Sequence, residues 1–211
     1  MSMKGNIVYF GDPMCSWCYG FAPEITKVKE QYEGDLNFEL IMGGLRPYGT
    51  EKVSELGDML RHHWEEVAKR SGQPFRYDLL TDKEFVYDTE PSSRAVVTMK
   101  LLKPGKEFDF YKRIQEAFYA ENRNTTQTQT FEDLAKEFDV EKDSFKKTFE
   151  DESTKTKTKE EFGISGNLGV RGFPSTVLQL GEKGFLLANG YTEASTISDA
   201  IDRIVSKEEI A

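Results

Sequence analysis

Cys15 and Cys18 are the only two cysteines among the 211 residues, and they stand three apart in Asp12-Pro13-Met14-Cys15-Ser16-Trp17-Cys18-Tyr19-Gly20. An apolar run precedes them and a helical pattern follows. Two thiols at positions i and i+3 of a first helical turn face the same way and can close a disulfide. Cys15 lies where a helix leaves its N–H groups unpaired, at the positive end of the macrodipole. That setting favours thiolate, the form that attacks disulfides. Cys18 lies one turn in, on the face that should be buried, and suits the resolving role. The pair reads as a thiol–disulfide redox site.

Other uses of two cysteines fit less well. A structural zinc site needs about four ligands; there is no second cysteine pair, and His62 and His63 are adjacent in a helical stretch. No metal is expected. A disulfide closing so short a loop removes little entropy from the unfolded chain, so it would be a poor staple. Chance pairing of two buried cysteines is disfavoured by the helix-opening context.

The bulk composition narrows the class. Hydrophobic residues make up 37% and charged residues 31%, with fifteen Phe and nine Tyr, which is the balance of a globular protein with a real core. A net charge of −9 argues against nucleic acid or an anionic membrane as partner. No apolar run approaches the roughly 18 residues that span a bilayer. Met1 to Gly5 lead directly into a strand-like run, with no apolar leader and cleavage site. Together with the absence of other cysteines, this reads as a cytoplasmic protein.

Positioning the two thiols falls to a strand, a helix and a second strand. Residues 6–11 form a short buried strand ended by Gly11-Asp12-Pro13. Cys18, Phe21, Ile25, Val28 and Tyr32 step by three and four, a helical stripe, with Pro23 inside it predicting a kink. Leu36, Phe38, Leu40 and Met42 alternate as a strand, parallel to the first through a right-handed crossover, and Gly43-Gly44 end it. From about Pro47 to Asp151 the pattern is helical throughout, apart from an irregular aromatic stretch at 75–89. The Lys/Thr alternation of residues 154–159 reads as the solvated face of a further helix. A strand at 176–180, a turn at 181–184, a return strand at 185–188 and a last helix complete the chain.

Strand–helix–strand, a helical interruption, then strand–hairpin–strand–helix resembles a thioredoxin fold with an insertion. Cys15-Ser16-Trp17-Cys18 followed by Pro23 resembles the thioredoxin pattern C-x-x-C-x-x-x-x-P. Gly172-Phe173-Pro174-Ser175-Thr176 resembles the cis-proline loop that faces it. Pro174 lies 156 residues beyond Cys18, a spacing similar to that of the DsbA family, whose α/β fold carries a large all-helical insertion after the second strand. More narrowly, Asp12 to Gly20, Gly43-Gly44-Leu45, Asp88 to Ala95, Asn122 to Thr126 and Val170 to Thr176 together resemble the cytoplasmic DsbA-like proteins called predicted protein-disulfide isomerases, with FrnE-type proteins as near relatives. The resemblance implies a discontinuous thioredoxin-like domain at 1–46 and 153–211, and an inserted helical domain at 47–152. It implies Cys15 as nucleophile and Cys18 as resolving thiol, supported by Pro13, Ser16, Trp17 and Pro174. Phe173 and Trp17 would meet the substrate, a protein or peptide disulfide. No cofactor is implied beyond glutathione as a redox partner.

Two departures stand out. Thioredoxin and DsbA carry a buried acid six residues before the first cysteine, where this chain has Tyr9; the nearest carboxylate is Asp12. Phe173 is bulkier than the Val, Ile or Thr common before the proline, and its ring is expected to crowd or stack on a bound peptide. Two alternatives share the scaffold. One is a glutathione-dependent transferase or isomerase of the kappa-class or hydroxychromene carboxylate isomerase type, a branch that generally has Ser in place of the nucleophilic Cys. The other is a non-catalytic peptide-binding holdase.

Overall fold

The computed structural model describes residues 5–208; Met1 to Lys4, part of the expected leaderless start, lie outside the described residues. Four strands form one sheet: β1 (Gly5–Gly11), β2 (Leu36–Met42), β3 (Ser175–Leu180) and β4 (Lys183–Asn189), in the order β2-β1-β3-β4. β1 and β2 run parallel, joined by helix α1 (Ser16–Gln31), while β3 is antiparallel to both β1 and β4. Between β2 and β3 stand α2 (Gly57–Ser71), α3 (Glu90–Leu102), α4 (Glu107–Tyr119), α5 (Thr128–Lys136), α6 (Lys142–Glu150) and α7 (Glu152–Asn167); α8 (Ala194–Glu208) closes the described chain. Among the described residues no helix is long and apolar enough to cross a membrane.

β1 is apolar at successive positions because it is covered on both faces. Ile7 and Tyr9 point toward α1, α8 and the helical insertion, in a core that also holds Cys18, Phe21, Ile25, Tyr111 and Ile197. Val8 and Phe10 point the other way and pack with Ile41, Val170, Phe173 and Val177. A separate aromatic cluster holds the insertion to the start of α1: Tyr19 stacks on Tyr119 at 4.9 Å, and Trp64 meets Phe75, Phe118 and Tyr119. Trp64 is almost fully buried there. Trp64→Ala is expected to lower unfolding stability by about 3–5 kcal/mol, read as an earlier midpoint in urea with far-UV circular dichroism.

Pro23 sits inside α1 as its sequence position implies, and its missing N–H frees the carbonyl of Tyr19. Gln73, just past α2, supplies the replacement donor through Nε2 at 3.3 Å. The outer edge of β2 would otherwise expose unpaired groups. It is sealed by an ion pair: Glu161 of α7 accepts the Met42 N–H at 2.7 Å and pairs with Lys100 of α3, which donates to the Leu40 carbonyl.

Helix α7 corrects one expectation. The Lys/Thr alternation is not a wholly solvated face, because Thr154 and Thr158 are buried one turn apart and Thr158 Oγ1 donates to the Thr154 carbonyl at 2.9 Å. A threonine can turn its methyl inward and, as Thr158 does, satisfy its hydroxyl on the helix, so a buried stripe can be built without strongly apolar residues. The Thr154 hydroxyl has no partner among the described residues. Periodicity of large apolar side chains could not register it.

Candidate active site

The turn between β1 and α1 is held from several directions. Asp12 is fully buried; its Oδ1 accepts the Met14 N–H at 2.9 Å and its Oδ2 the Leu45 N–H at 2.8 Å. The Asp12 carbonyl accepts the Cys15 N–H at 3.1 Å. From the insertion, Tyr87 donates its hydroxyl to the Met14 carbonyl at 2.7 Å, and Tyr111 donates to the Asp12 carbonyl at 3.3 Å. Pro13 is buried within this turn. The loop bearing the first cysteine is thus tied both to Leu45, three residues past β2, and to two tyrosines of the helical insertion.

Cys15 is the N-cap of α1. Its φ/ψ of −90°/115° are extended, and its Sγ accepts the Cys18 N–H at 3.3 Å, the role a serine or aspartate oxygen usually takes. Both thiols are free and buried; Cys15 is 5% exposed and Cys18 0%. The Phe173–Pro174 peptide is cis, and the Cys15 thiol donates to the Phe173 carbonyl at 3.5 Å. Cys15, Cys18, Phe173 and Pro174, drawn from opposite ends of the chain, therefore meet. Ser16 and Trp17 are half-buried beside them, and Trp17 packs edge-on against Tyr191.

The environment of Cys15 differs from the expectation built on the helix terminus alone. The neighbouring Cys18 thiol, burial and the buried Asp12 carboxylate raise the Cys15 thiol well above its ordinary range, opposed by the Cys18 N–H. The helix terminus is present, but tertiary packing adds charge and desolvation that act the other way.

Asp12 is itself perturbed. Burial pushes its carboxyl from 3.8 up to about 6, against the two N–H groups from Leu45 and Met14 that hold it down. The folded protein therefore binds a proton that the unfolded chain releases between these values. Its stabilising contribution, about 3 kcal/mol, is complete below pH 3.8 and lost as pH rises through about 6. Removing the charge should ease ionisation of Cys15. In a Cys18→Ser background, Asp12→Asn is expected to move the midpoint of iodoacetamide alkylation of Cys15 to lower pH. An unmoved midpoint would show that Asp12 does not act on the thiol.

Phe173 is seated by the end of β2. Its ring folds back over Gly43, where any Cβ would run into the ring edge, and packs into both faces of the sheet core. The neighbouring Gly44, at φ +70°, similarly makes room for Phe162. The Gly43-Gly44 pair ends β2 and provides the floor for two aromatic rings.

Beside the cysteines opens a cleft of about 390 Å³ lined by Trp17, Arg70, Phe173, Gly190 and Tyr191. Arg70 lies over the Tyr191 ring at 5.0 Å and pairs with Glu193 at 3.0 Å. Sequence reasoning did not single out Arg70, Tyr191, Tyr87 or Tyr111. A tyrosine or arginine on an ordinary helical or loop pattern carries no local sign of what it will face. Among the described residues no cluster of His, Cys, Asp and Glu could hold a metal ion.

The family model described as thioredoxin matches residues 9–195. A candidate protein disulfide isomerase from Nitrosomonas europaea is 32% identical, with a TM-score of 0.89 over 97% of this chain and 98% of that one. The cytosolic disulfide reductase DsbM from Pseudomonas aeruginosa is 25% identical, with a TM-score of 0.80 over 98% of this chain and 100% of that one. DsbM with GSH is 26% identical, with a TM-score of 0.74 over 94% of this chain and 98% of that one. The ClpXP adapter protein SpxH from Halalkalibacterium halodurans is 24% identical over 126 residues, 57% of this chain. The match spans 41% of that curated relative's length. The chain belongs to the thioredoxin family, with the helical insertion and architecture of the DsbA-like oxidoreductases.

Proposed function

We propose that the protein is a dithiol–disulfide oxidoreductase that reduces or isomerises protein and peptide disulfides in the cytoplasm. The observation that carries the reading is Cys15 at the helix N-cap, hydrogen-bonded to the Cys18 N–H at 3.3 Å and to the Phe173 carbonyl at 3.5 Å. In the reaction the Cys15 thiolate attacks a substrate disulfide and forms a mixed disulfide, releasing the first substrate sulfur as thiolate. Cys18 then attacks Cys15 Sγ, closing the Cys15–Cys18 bond and releasing the second sulfur. An external thiol returns the pair to the dithiol. Trp17 and Phe173 line the cleft in which the substrate lies, and Pro13, Ser16 and Pro174 shape the turns on either side.

The surroundings of the thiol support this direction. Strong oxidants of this chemistry owe their poise to a stabilised thiolate, near pKa ~3.5, with a potential near about −120 mV. Here the Cys18 thiol, burial and Asp12 press the Cys15 thiol the other way, which favours the disulfide in the enzyme and reduction of the substrate. The disulfide reductase DsbM, similar over nearly the whole chain, supports the same direction.

Glutathione is the proposed electron donor. The cleft beside Cys15 presents Arg70 and aromatic walls, suited to a small peptide thiol bearing carboxylates, and DsbM has been solved with GSH. The test is reduction of insulin disulfides driven by glutathione and glutathione reductase. Cysteine-dependent turnover is expected. No turnover, or turnover equal in Cys15→Ser, would end this reading, while glutathione conjugation to an electrophile would favour a transferase instead.

A further inference from the structure

The cleft beside the cysteines has one charged wall. Of the residues that line it, Trp17, Phe173, Gly190 and Tyr191 are uncharged, and Arg70 alone carries a charge. On a chain of net charge −9, that cation is what an anionic thiol would meet there. Arg70 comes from the last turn of α2, while Tyr191 and Glu193 lie between β4 and α8, so the insertion and the sheet each supply one side. The Tyr191 ring packs edge-on against Trp17 at 6.4 Å and Phe21 at 6.3 Å. The guanidinium lies over that ring at 5.0 Å.

The guanidinium is already engaged by a carboxylate of the chain. Arg70 Nη2 donates to Glu193 Oε1 at 3.0 Å, a single hydrogen bond where an arginine fork can make two parallel ones. Both side chains are more than half exposed, at 54% and 58%, and an ion pair in that setting is weak. The backbone on either side stays fixed without it. The Ala194 N–H donates to Glu24 Oε2 of α1 at 2.9 Å, and the Ile197 N–H to the Glu193 carbonyl at 3.3 Å. The Glu193 side chain can therefore turn away while α8 keeps its place, and Tyr191 continues to hold the guanidinium at the cleft.

We propose that Arg70 selects a carboxylate-bearing thiol at this cleft, and that Glu193 is its built-in competitor, holding the guanidinium until the ligand's own carboxylate displaces it. The inference rests on the glutathione reading above and deepens it. A glutathione thiolate attacks Cys15 Sγ of the oxidised pair, and the electron pair of the broken Cys15–Cys18 bond leaves on Cys18, which takes a proton from solvent. A second glutathione thiolate attacks the sulfur of the first, forming glutathione disulfide and leaving the electron pair on Cys15. Two glutathione thiols are oxidised and one protein disulfide is reduced; the two protons they release balance those taken by the two cysteines. Arg70 moves no electrons. It exchanges a single exposed contact for a two-pronged, charge-assisted one, a gain that a thiol without a carboxylate cannot claim.

The test takes the protein in its Cys15–Cys18 disulfide form. It is reduced with glutathione or with glutathione diethyl ester, whose carboxylates are both blocked, and followed by acid quench, alkylation and mass spectrometry. Each variant is compared with wild type one thiol at a time, so differences in thiol reactivity cancel. Arg70→Gln is expected to cut the preference for glutathione over the diester by about tenfold. Arg70→Lys, which keeps the charge and loses the fork, should fall between. Glu193→Gln should speed reduction by glutathione about two- to fivefold and add nothing in the Arg70→Gln background. A general effect of the lost negative charge would persist there. An unchanged preference in Arg70→Gln, or a Glu193→Gln gain that survives without Arg70, overturns the inference alone. A wild-type disulfide that dithiothreitol reduces and glutathione does not overturns the glutathione reading and the inference together.

Discussion

Cys18→Ser should convert a turnover catalyst into a covalent trap. Attack by Cys15 still forms the mixed disulfide, but no second thiol remains to release it. Incubation with glutathione disulfide or a peptide disulfide should leave one adduct on Cys15, visible by mass and lost with dithiothreitol. Cys15→Ser should form no adduct and lose roughly 10⁴-fold or more in insulin reduction, as removal of a nucleophile does elsewhere. The asymmetry follows from position. Cys15 sits at the helix N-cap against the Phe173 carbonyl, while Cys18 is sealed within the core. Trapping on Cys18 in a Cys15→Ser protein would reverse the assigned roles.

Gly43→Ala should cost about 10²-fold in turnover with both cysteines intact. The added methyl would fall on the edge of the Phe173 ring. That ring packs against both the core around Tyr9 and the cluster around Val8, Phe10 and Ile41, so making room for the methyl shifts it and pulls on its backbone. Its carbonyl is the group that accepts the Cys15 thiol. A displacement near 1 Å at a reacting group can cost about 10²-fold, and overpacking adds about 1–3 kcal/mol in stability. The check is steady-state insulin reduction beside a denaturant melt. Adding Phe173→Leu should recover part of the loss, because the smaller side chain vacates the space the methyl needs. If Gly43→Ala turns over as wild type, the ring does not set the position of the loop.

Much of the site is legible in the chain itself. The Cys15/Cys18 spacing at a helix start, Pro23 and the Gly172-Phe173-Pro174 stretch are local patterns, and local backbone rules place each on its element. The alternation in β2 and the three-and-four stepping in α1 identify the strand–helix–strand unit. The inward stripe of α7 escapes because its buried residues are threonines. The seat of the Phe173 ring escapes because Gly43 lies 130 residues away in the chain.

The sequence by itself determined which atoms can exchange electrons: two thiols one helical turn apart, and a proline loop able to face them. The tertiary structure decided how those atoms behave. The Cys15 thiol rises instead of falling because Cys18 and Asp12 are packed against it out of water. At position 9, where the acid is missing, Tyr9 meets a hydroxyl from Tyr111 of α4 that nothing near it in the chain encodes. Spacing along the chain specifies geometry within a turn. A thiol's charge depends on every dipole and charge within a few ångströms, and those arrive from separate elements only when the insertion closes over the sheet.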